Sequence, residues 1–486
     1  MNQSETALYE QRRKSYLVKG IAFAMASGVC YGLYTGFLTL AQTQGVWGDW
    51  FAGAAWGEGH AALSAFTVTF VLAALAAGIN DLFSGIWSVV VCAKNRQIGD
   101  LLKTARTKPG AIMMLCAAVG GPFATIAYVV ALNAAASSGN PGVIVPIAAL
   151  NCAIGALLSR VLFKQKLEAH KIAGIVICML AGTLIGGASF AALGPEALLG
   201  CAFAFLAAFG WGFEGCVAGF GTVLIDYRIG IAIRQLTAGA LELLVAFPLL
   251  ALIGSGPGTL LDLLGAALSD RSLLIFAISG LFAMPAFSFW YKGNSMCGTA
   301  LGMACNGMYA FWGPLFIWLI MGVLGIGGMA EDYPPLSATQ WAGALIMVAG
   351  IFCIAINPLE ALKKKGSEKA APAHASKPQG AREEAAKLDE HEHGKARRPE
   401  PLYYAIVRHF SNDVTDCADG VMKALAPDYR TYKLFTKKDV EEALATAKEN
   451  GILDEVCFDI SDCGDVRVFY RANDFGRDLI RRYIGA

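Results

Sequence analysis

Three carboxylic acids stand inside long apolar runs, where a charge is out of place: Asp81, Glu214 and Glu242. An ionisable group inside a membrane span costs roughly 2.5–3.5 kcal/mol on insertion scales, so it persists where it has a task or a partner. The chemistry open to it is reversible protonation, because burial disfavours the charged form and lets the acid load and release a proton. All three are therefore candidate proton-coupling groups; Asp81 and Glu242 lie well inside their runs, Glu214 nearer one end. Rings and amides that could hold an organic molecule accompany them: Tyr31, Trp211 and Tyr309, with Asn151 and Asn306. Rings with a polar edge line substrate cavities as readily as they form interfacial belts. A buried amide needs a partner in a substrate or a neighbouring helix. Arg234, near the start of its run, reads as a snorkelling residue at the inner interface. The 6 histidines and 13 cysteines form no metal-ligand cluster, and no phosphate loop or nucleophile arrangement emerges. No enzyme activity, metal or cofactor is expected.

The elements that must position these groups follow from composition. The 486 residues are 56% hydrophobic and only 16% charged, against about a quarter charged in a soluble domain. Most of the apolar runs fall before residue 360. A helix crossing about 30 Å of hydrocarbon needs roughly 20 apolar residues. Stretches near 18–40, 62–92, 110–131, 141–162, 170–188, 197–221, 230–253, 272–291, 297–326 and 339–357 meet or approach that need. The expected fold is an all-α polytopic membrane protein of ten spans, with the second span over-long and open to a break. Ten of the cysteines sit in or beside these runs, where Cys behaves as a small hydrophobe. The first run lacks a small-residue cleavage site and reads as a retained helix.

Basic residues orient the spans. With the N-terminus inside, the inner segments hold Arg12, Arg13, Lys14, Lys94, Arg96, Lys103, Arg106, Lys108, Arg160 and Arg228, while the outer loops hold only Arg271. That asymmetry places both termini in the cytosol of a cell with an inner or plasma membrane.

The chain also repeats itself. Gly20, Ala22, Phe23, Ala24, Tyr31 and Gly32 recur at the same spacing as Gly200, Ala202, Phe203, Ala204, Trp211 and Gly212. Pro122 with Tyr128 answers Pro285 with Tyr291, and Lys171 to Gly174 answers Gln340 to Gly343. Each repeat spans five helices, and an odd number of crossings inverts the second copy. Inverted repeats place a substrate near the bilayer midplane, between halves that rock against each other. The domains expected are a cytosolic segment 1–17, membrane repeats 18–188 and 189–360, a flexible charged linker 361–399 and a cytosolic unit 400–486.

In this arrangement the chain resembles the drug/metabolite transporter superfamily, and within it the EamA-like family. The resemblance rests on Pro146-Ile147-Ala148 through Leu167-Glu168, then Gly174 and Gly182, with a looser version at Pro314-Leu315-Phe316 through Gly343 and Gly350. It covers roughly residues 15–360. The first outer loop (about 41–60), the spacer around Pro334-Pro335 and the appended tail depart from it. The resemblance implies a secondary transporter with alternating access that exports an amino acid, metabolite or drug. Related branches carry sugars or nucleotide sugars.

The tail regains a core pattern. Val456 to Ile460 and Val466 to Tyr470 alternate as strands about a turn, and helices flank them, an order that resembles a winged helix. Residues 400–486 hold 12 Lys/Arg against 16 Asp/Glu, and DNA binding wants a basic face. The partners expected are therefore a small-molecule substrate, lipid, protons, and a cytosolic protein or a second copy through 400–486, not nucleic acid. A membrane sensor signalling through that tail is the other class open.

Overall fold

The computed structural model describes residues 3–56, 61–137, 144–148, 150–163, 168–185, 195–254, 257–328, 331, 333, 335–355, 400–461 and 465–484. The expected linker 361–399 and the turn at 462–464 lie outside them.

The chain opens on α1 (Gln3–Gln42), a single helix of 40 residues. At 1.5 Å per residue it is about 60 Å long, roughly twice the hydrocarbon thickness. The segment expected to precede the first span is thus the same helix, continued into a polar extension. α2 (Gly45–Phe51) follows. The second span starts with one π-helical turn (Thr67–Val71) and runs on as α3 (Leu72–Lys94). A short α4 (Ile98–Thr104) leads to α5 (Lys108–Ala118), whose N-cap Thr107 accepts from the Gly110 amide just after Pro109. A second π-turn (Val119–Phe123) carries Pro122 and passes into α6 (Ala124–Ser137). α7 (Ile144–Ala148), α8 (Asn151–Phe163) and α9 (Ala169–Ile185) close the first half.

The second half holds α10 (Pro195–Leu224), then α11 (Tyr227–Leu241), a π-turn (Glu242–Ala246) and α12 (Phe247–Gly254). α13 (Pro257–Ser269) was not anticipated as a separate element. α14 (Ser272–Cys297) runs unbroken through Pro285. It is followed by α15 (Thr299–Asn306), α16 (Tyr309–Ile317) ending in a π-turn (Trp318–Val323), and α17 (Ala338–Ala355).

Among the described residues seven helices are long and apolar enough to cross a membrane. The fourth, fifth and tenth expected spans appear as the shorter apolar helices Asn151–Leu162, Ala169–Ile185 and Ala338–Ile354. The last two cross where Gly174 meets the carbonyl of Gly350; a methyl at 174 would stand 2.6 Å from that oxygen.

The polar face of α3 decides what surrounds the site. Asn80, Ser84 and Ser88 recur every fourth residue, all buried, and so share one stripe along the helix. That stripe faces protein, with α11 and α14 as neighbours. At the far end of α1, Trp47, Trp50 and Trp56 are buried with Phe276 in a second apolar core.

The C-terminal unit comprises α18 (Leu402–Arg408), α19 (Ala418–Tyr429), α20 (Lys437–Glu449), strands β1 (Leu453–Ile460) and β2 (Val466–Ala472), and α21 (Asp474–Tyr483). The strands pair antiparallel from Leu453↔Ala472 to Ile460↔Val466, with an irregularity between Glu455 and Cys457. This unit sits against the ends of α1, α5 and α14 that carry Tyr9 to Lys19, Lys108 and Lys292 to Ser295.

Candidate functional site

The three carboxylates converge on Arg234. Its Nε donates to Glu214 Oε1 at 2.7 Å and its Nη2 to Glu214 Oε2 at 3.1 Å, a two-pronged grip across α10 and α11. Nη1 donates to Asp81 Oδ2 on α3 at 2.9 Å and also to the side chain of Gln235. The guanidinium is 1% exposed and lies 4.3 Å from the centroid of the Phe287 ring. Snorkelling to an interface is therefore corrected: Arg234 is a buried counter-charge, because two carboxylates within hydrogen-bond reach offset its desolvation better than a distant headgroup can.

Hydrogen bonds extend the network outward. Tyr291 donates to Glu214 Oε1 at 3.1 Å, and Gln235 Nε2 donates to Ser84 Oγ at 2.6 Å. Asn80 Nδ2 donates to Asp81 Oδ1 at 3.3 Å, while Ser279 donates to Asn80 Oδ1 at 2.7 Å. Four helices, α3, α10, α11 and α14, are thus fastened through one charged centre.

Glu242 is different. It is fully buried at the head of its π-turn, and neither carboxyl oxygen has a partner among the described residues. No hydrogen bond among the described residues compensates a negative charge there, and burial disfavours one. Gly120 makes room for Glu214, since a Cβ there would lie 1.7 Å from Glu214 Oε2, whereas one on Gly121 would crowd Ala238 at 2.7 Å and only touch Glu242 Oε1 at 3.4 Å. The Gly-Gly-Pro turn of the third span therefore packs against both carboxyls.

A narrow cleft of about 70 Å³ lies beside the centre. Tyr31, Tyr34, Asp81, Trp211 and Phe287 line it, and it extends along α1 to Gln42. Of the sequence-derived binding residues, Tyr31 and Trp211 line the cleft directly. Tyr309 supports Tyr31, with ring centroids 4.5 Å apart. Trp211 is fixed by donating Nε1 to the Gly120 carbonyl at 3.1 Å. The two amides fall elsewhere. Asn306 donates to Ser27 Oγ at 2.7 Å, and Ser27 donates to the Ala286 carbonyl at 2.6 Å, tying α15 to α1 and α14. Asn151 is buried where α8 crosses α10 at Gly212.

Sequence reading did not single out Asn80, Ser84, Gln235 or Phe287. The polar stripe of α3, with a period of four inside an apolar run, was the available signal. Charge balance was the signal for Arg234: one arginine among three buried acids is their natural partner.

No protein-family model and no curated protein matches the chain. A solved crystal structure of a protein is 17% identical and aligns over 71% of this chain and 99% of its own with a TM-score of 0.47, a likeness too low to carry an argument.

Proposed function

We propose that the chain is a secondary active carrier of a small organic metabolite, working by alternating access and coupled to protons. Its membrane part is read as ten spans in two inverted five-helix repeats of the drug/metabolite transporter type, EamA-like, with both termini cytosolic and a winged-helix-like tail. Helix neighbours support the inverted repeat. α1 packs on α14 as α10 packs on α6, and α1 packs on α16 as α10 packs on α8. α3 meets α14 as α11 meets α5, while α3 with α11 and α9 with α17 pair across the axis. A two-fold axis in the membrane plane requires that pattern.

One observation carries the function. Glu242, buried and unpartnered, follows about two helical turns after Arg234, the hub of a centre in which Asp81 faces both an aromatic cleft and that guanidinium. Cargo held by the rings of Tyr31, Trp211 and Phe287 would lie against Asp81. Moving a proton among these acids would change whether Arg234 is held or released, and a ligand-sensitive charge at a midplane cavity is what coupling needs. Amino-acid, metabolite and drug export stand ahead of sugar or nucleotide-sugar carriage on the family resemblance alone, since an aromatic cleft suits all of these cargoes.

The test is proton movement in proteoliposomes across a metabolite panel, comparing wild type with Asp81→Asn and Glu242→Gln. Cargo-dependent proton flux lost in either variant supports the assignment. Flux identical in all three proteins would remove both acids from the coupling role.

A further inference from the structure

We propose that Trp290 and Asn294 of α14 line an inner vestibule of the transport path, and that the C-terminal unit latches it shut through Glu442. The inference rests on the carrier reading and its orientation. The cleft occupies the outer part of α1, from Tyr31 to Gln42, whereas the tail grips the other end, from Tyr9 to Lys19. Lys19 and Tyr31 are twelve residues apart in sequence, about 18 Å along the helix.

One face of α20 makes the grip. Glu442, Thr446 and Asn450 follow at four-residue intervals and so lie on one side of the helix. Glu442 Oε1 pairs with Lys292 Nζ at 2.6 Å, and its Oε2 pairs with Lys19. Tyr16 and Thr446 share a hydrogen bond of 2.6 Å, and Asn450 donates to the Ser295 carbonyl at 2.9 Å. One carboxylate therefore bridges α1 from the first half to α14 from the second. Those two helices are close-packed at this level through Gly20 and Gly293, so the latch opens by the tail leaving the pair and uncovering the end of α14.

Behind the latch, polar groups are left without partners. Trp290 Nε1 and both amide atoms of Asn294 are buried and unpaired among the described residues, at 5% and 1% exposure. Trp290 packs beside Tyr291, which bonds Glu214, so this cluster of unmet polar atoms lies next to the charged centre. Leaving a buried donor or acceptor unsatisfied costs about 1–3 kcal/mol. A second state in which water or cargo reaches these atoms accounts for their retention. An indole donor and an amide suit neutral polar or zwitterionic groups of the cargo.

The experiment needs no known cargo. Native Cys297, one turn beyond Asn294 on α14, is a free thiol. Its modification by a membrane-impermeant maleimide is followed by peptide mass spectrometry in inside-out vesicles of the full chain. Glu442→Gln should raise its labelling rate roughly tenfold, the shift a single charge-assisted contact supplies. Lys19→Gln, at a half-exposed position, should act in the same direction and serves where Glu442→Gln proves unstable. Unchanged labelling in a folded variant overturns the latch. Labelling that rises while no cargo in the panel moves leaves the latch standing and counts against the carrier instead.

Discussion

Arg234 holds Asp81 and Glu214 apart by standing between them, with the Glu214 pair fully buried and the Asp81 pair at the wall of the cleft. Removing one partner of such a centre leaves uncompensated charge, which costs about 3–5 kcal/mol, whereas replacing the whole set by apolar groups is often harmless. Arg234→Met is therefore expected to lower the thermal stability of the purified protein severely, and Arg234→Met with Glu214→Leu to recover part of the loss. Equal melting temperatures for the single and double variants would contradict the pairing. Gly120→Ala is the steric counterpart. Its new methyl would stand 1.7 Å from Glu214 Oε2, so overpacking of about 1–3 kcal/mol is expected, relieved when Glu214 is shortened to Ala. Thermal unfolding of the pair tests that coupling. At this scale the sequence marked Asp81, Glu214 and Glu242, because acids in apolar runs are conspicuous. It misassigned Arg234, because a basic residue near an inner boundary satisfies the positive-inside bias equally well, and its partners lie 20 and 153 residues away.

Helices were legible because apolar length is local information; their breaks and crossings were not. The π-turn at Val119–Phe123 contains Pro122, which cannot donate, yet the other π-turns hold no proline and α14 absorbs Pro285 without a break. The neighbours of each proline decide that difference, and they come from other parts of the chain. The hairpin expected over 456–470 extends to 453–472, since alternation fades at its ends before pairing does. The segment expected as the first outer loop departs most from expectation: α2 is pinned by Asp270, whose Oδ2 accepts from the Val46 amide at 3.1 Å while Oδ1 accepts from Ser272 N at 2.8 Å. Burial alone would raise this carboxyl, but those bonds, from Ser272 first, outweigh it and hold it below 3.8. For an acid with a lowered folded value, the stabilisation is present above the unfolded value and lost as pH falls through the folded one. Proteolysis between α1 and α2 should therefore stay slow at neutral pH and accelerate only below about pH 4. Asp270→Asn should be cut faster at neutral pH. Cleavage indifferent to both changes would show that the tryptophans alone hold the loop.

At the scale of the whole molecule, the tail is fastened to the membrane helices by contacts no local pattern announces. Tyr9 donates to Glu455 at 2.5 Å and stacks on Phe458 with centroids 4.5 Å apart, and Thr107 and Tyr404 share a hydrogen bond of 2.7 Å. These residues are hundreds of positions apart, and composition could say only that the tail is folded and acidic. The charged part of the docking is conditional on solution. Burial would raise the Glu442 carboxyl, but Lys292 and then Lys19 outweigh it and hold it below 4.5. The docking energy it supplies is complete above that value and is lost as pH falls through the lowered one. Paired nitroxides at Gln11 and Lys423, both exposed, should therefore give a narrow distance distribution at pH 7 that broadens near pH 4. Glu442→Gln should be broad already at pH 7 and gain little on acidification. High salt separates the remaining contributions. At about 1 M the screening length is about 3 Å, which weakens the half-exposed Arg12–Glu441 pair before the buried Lys292–Glu442 pair. Wild type should keep its narrow distribution in salt and lose it in acid. Loss in salt alone would move the hold from Glu442 to the surface charges around it.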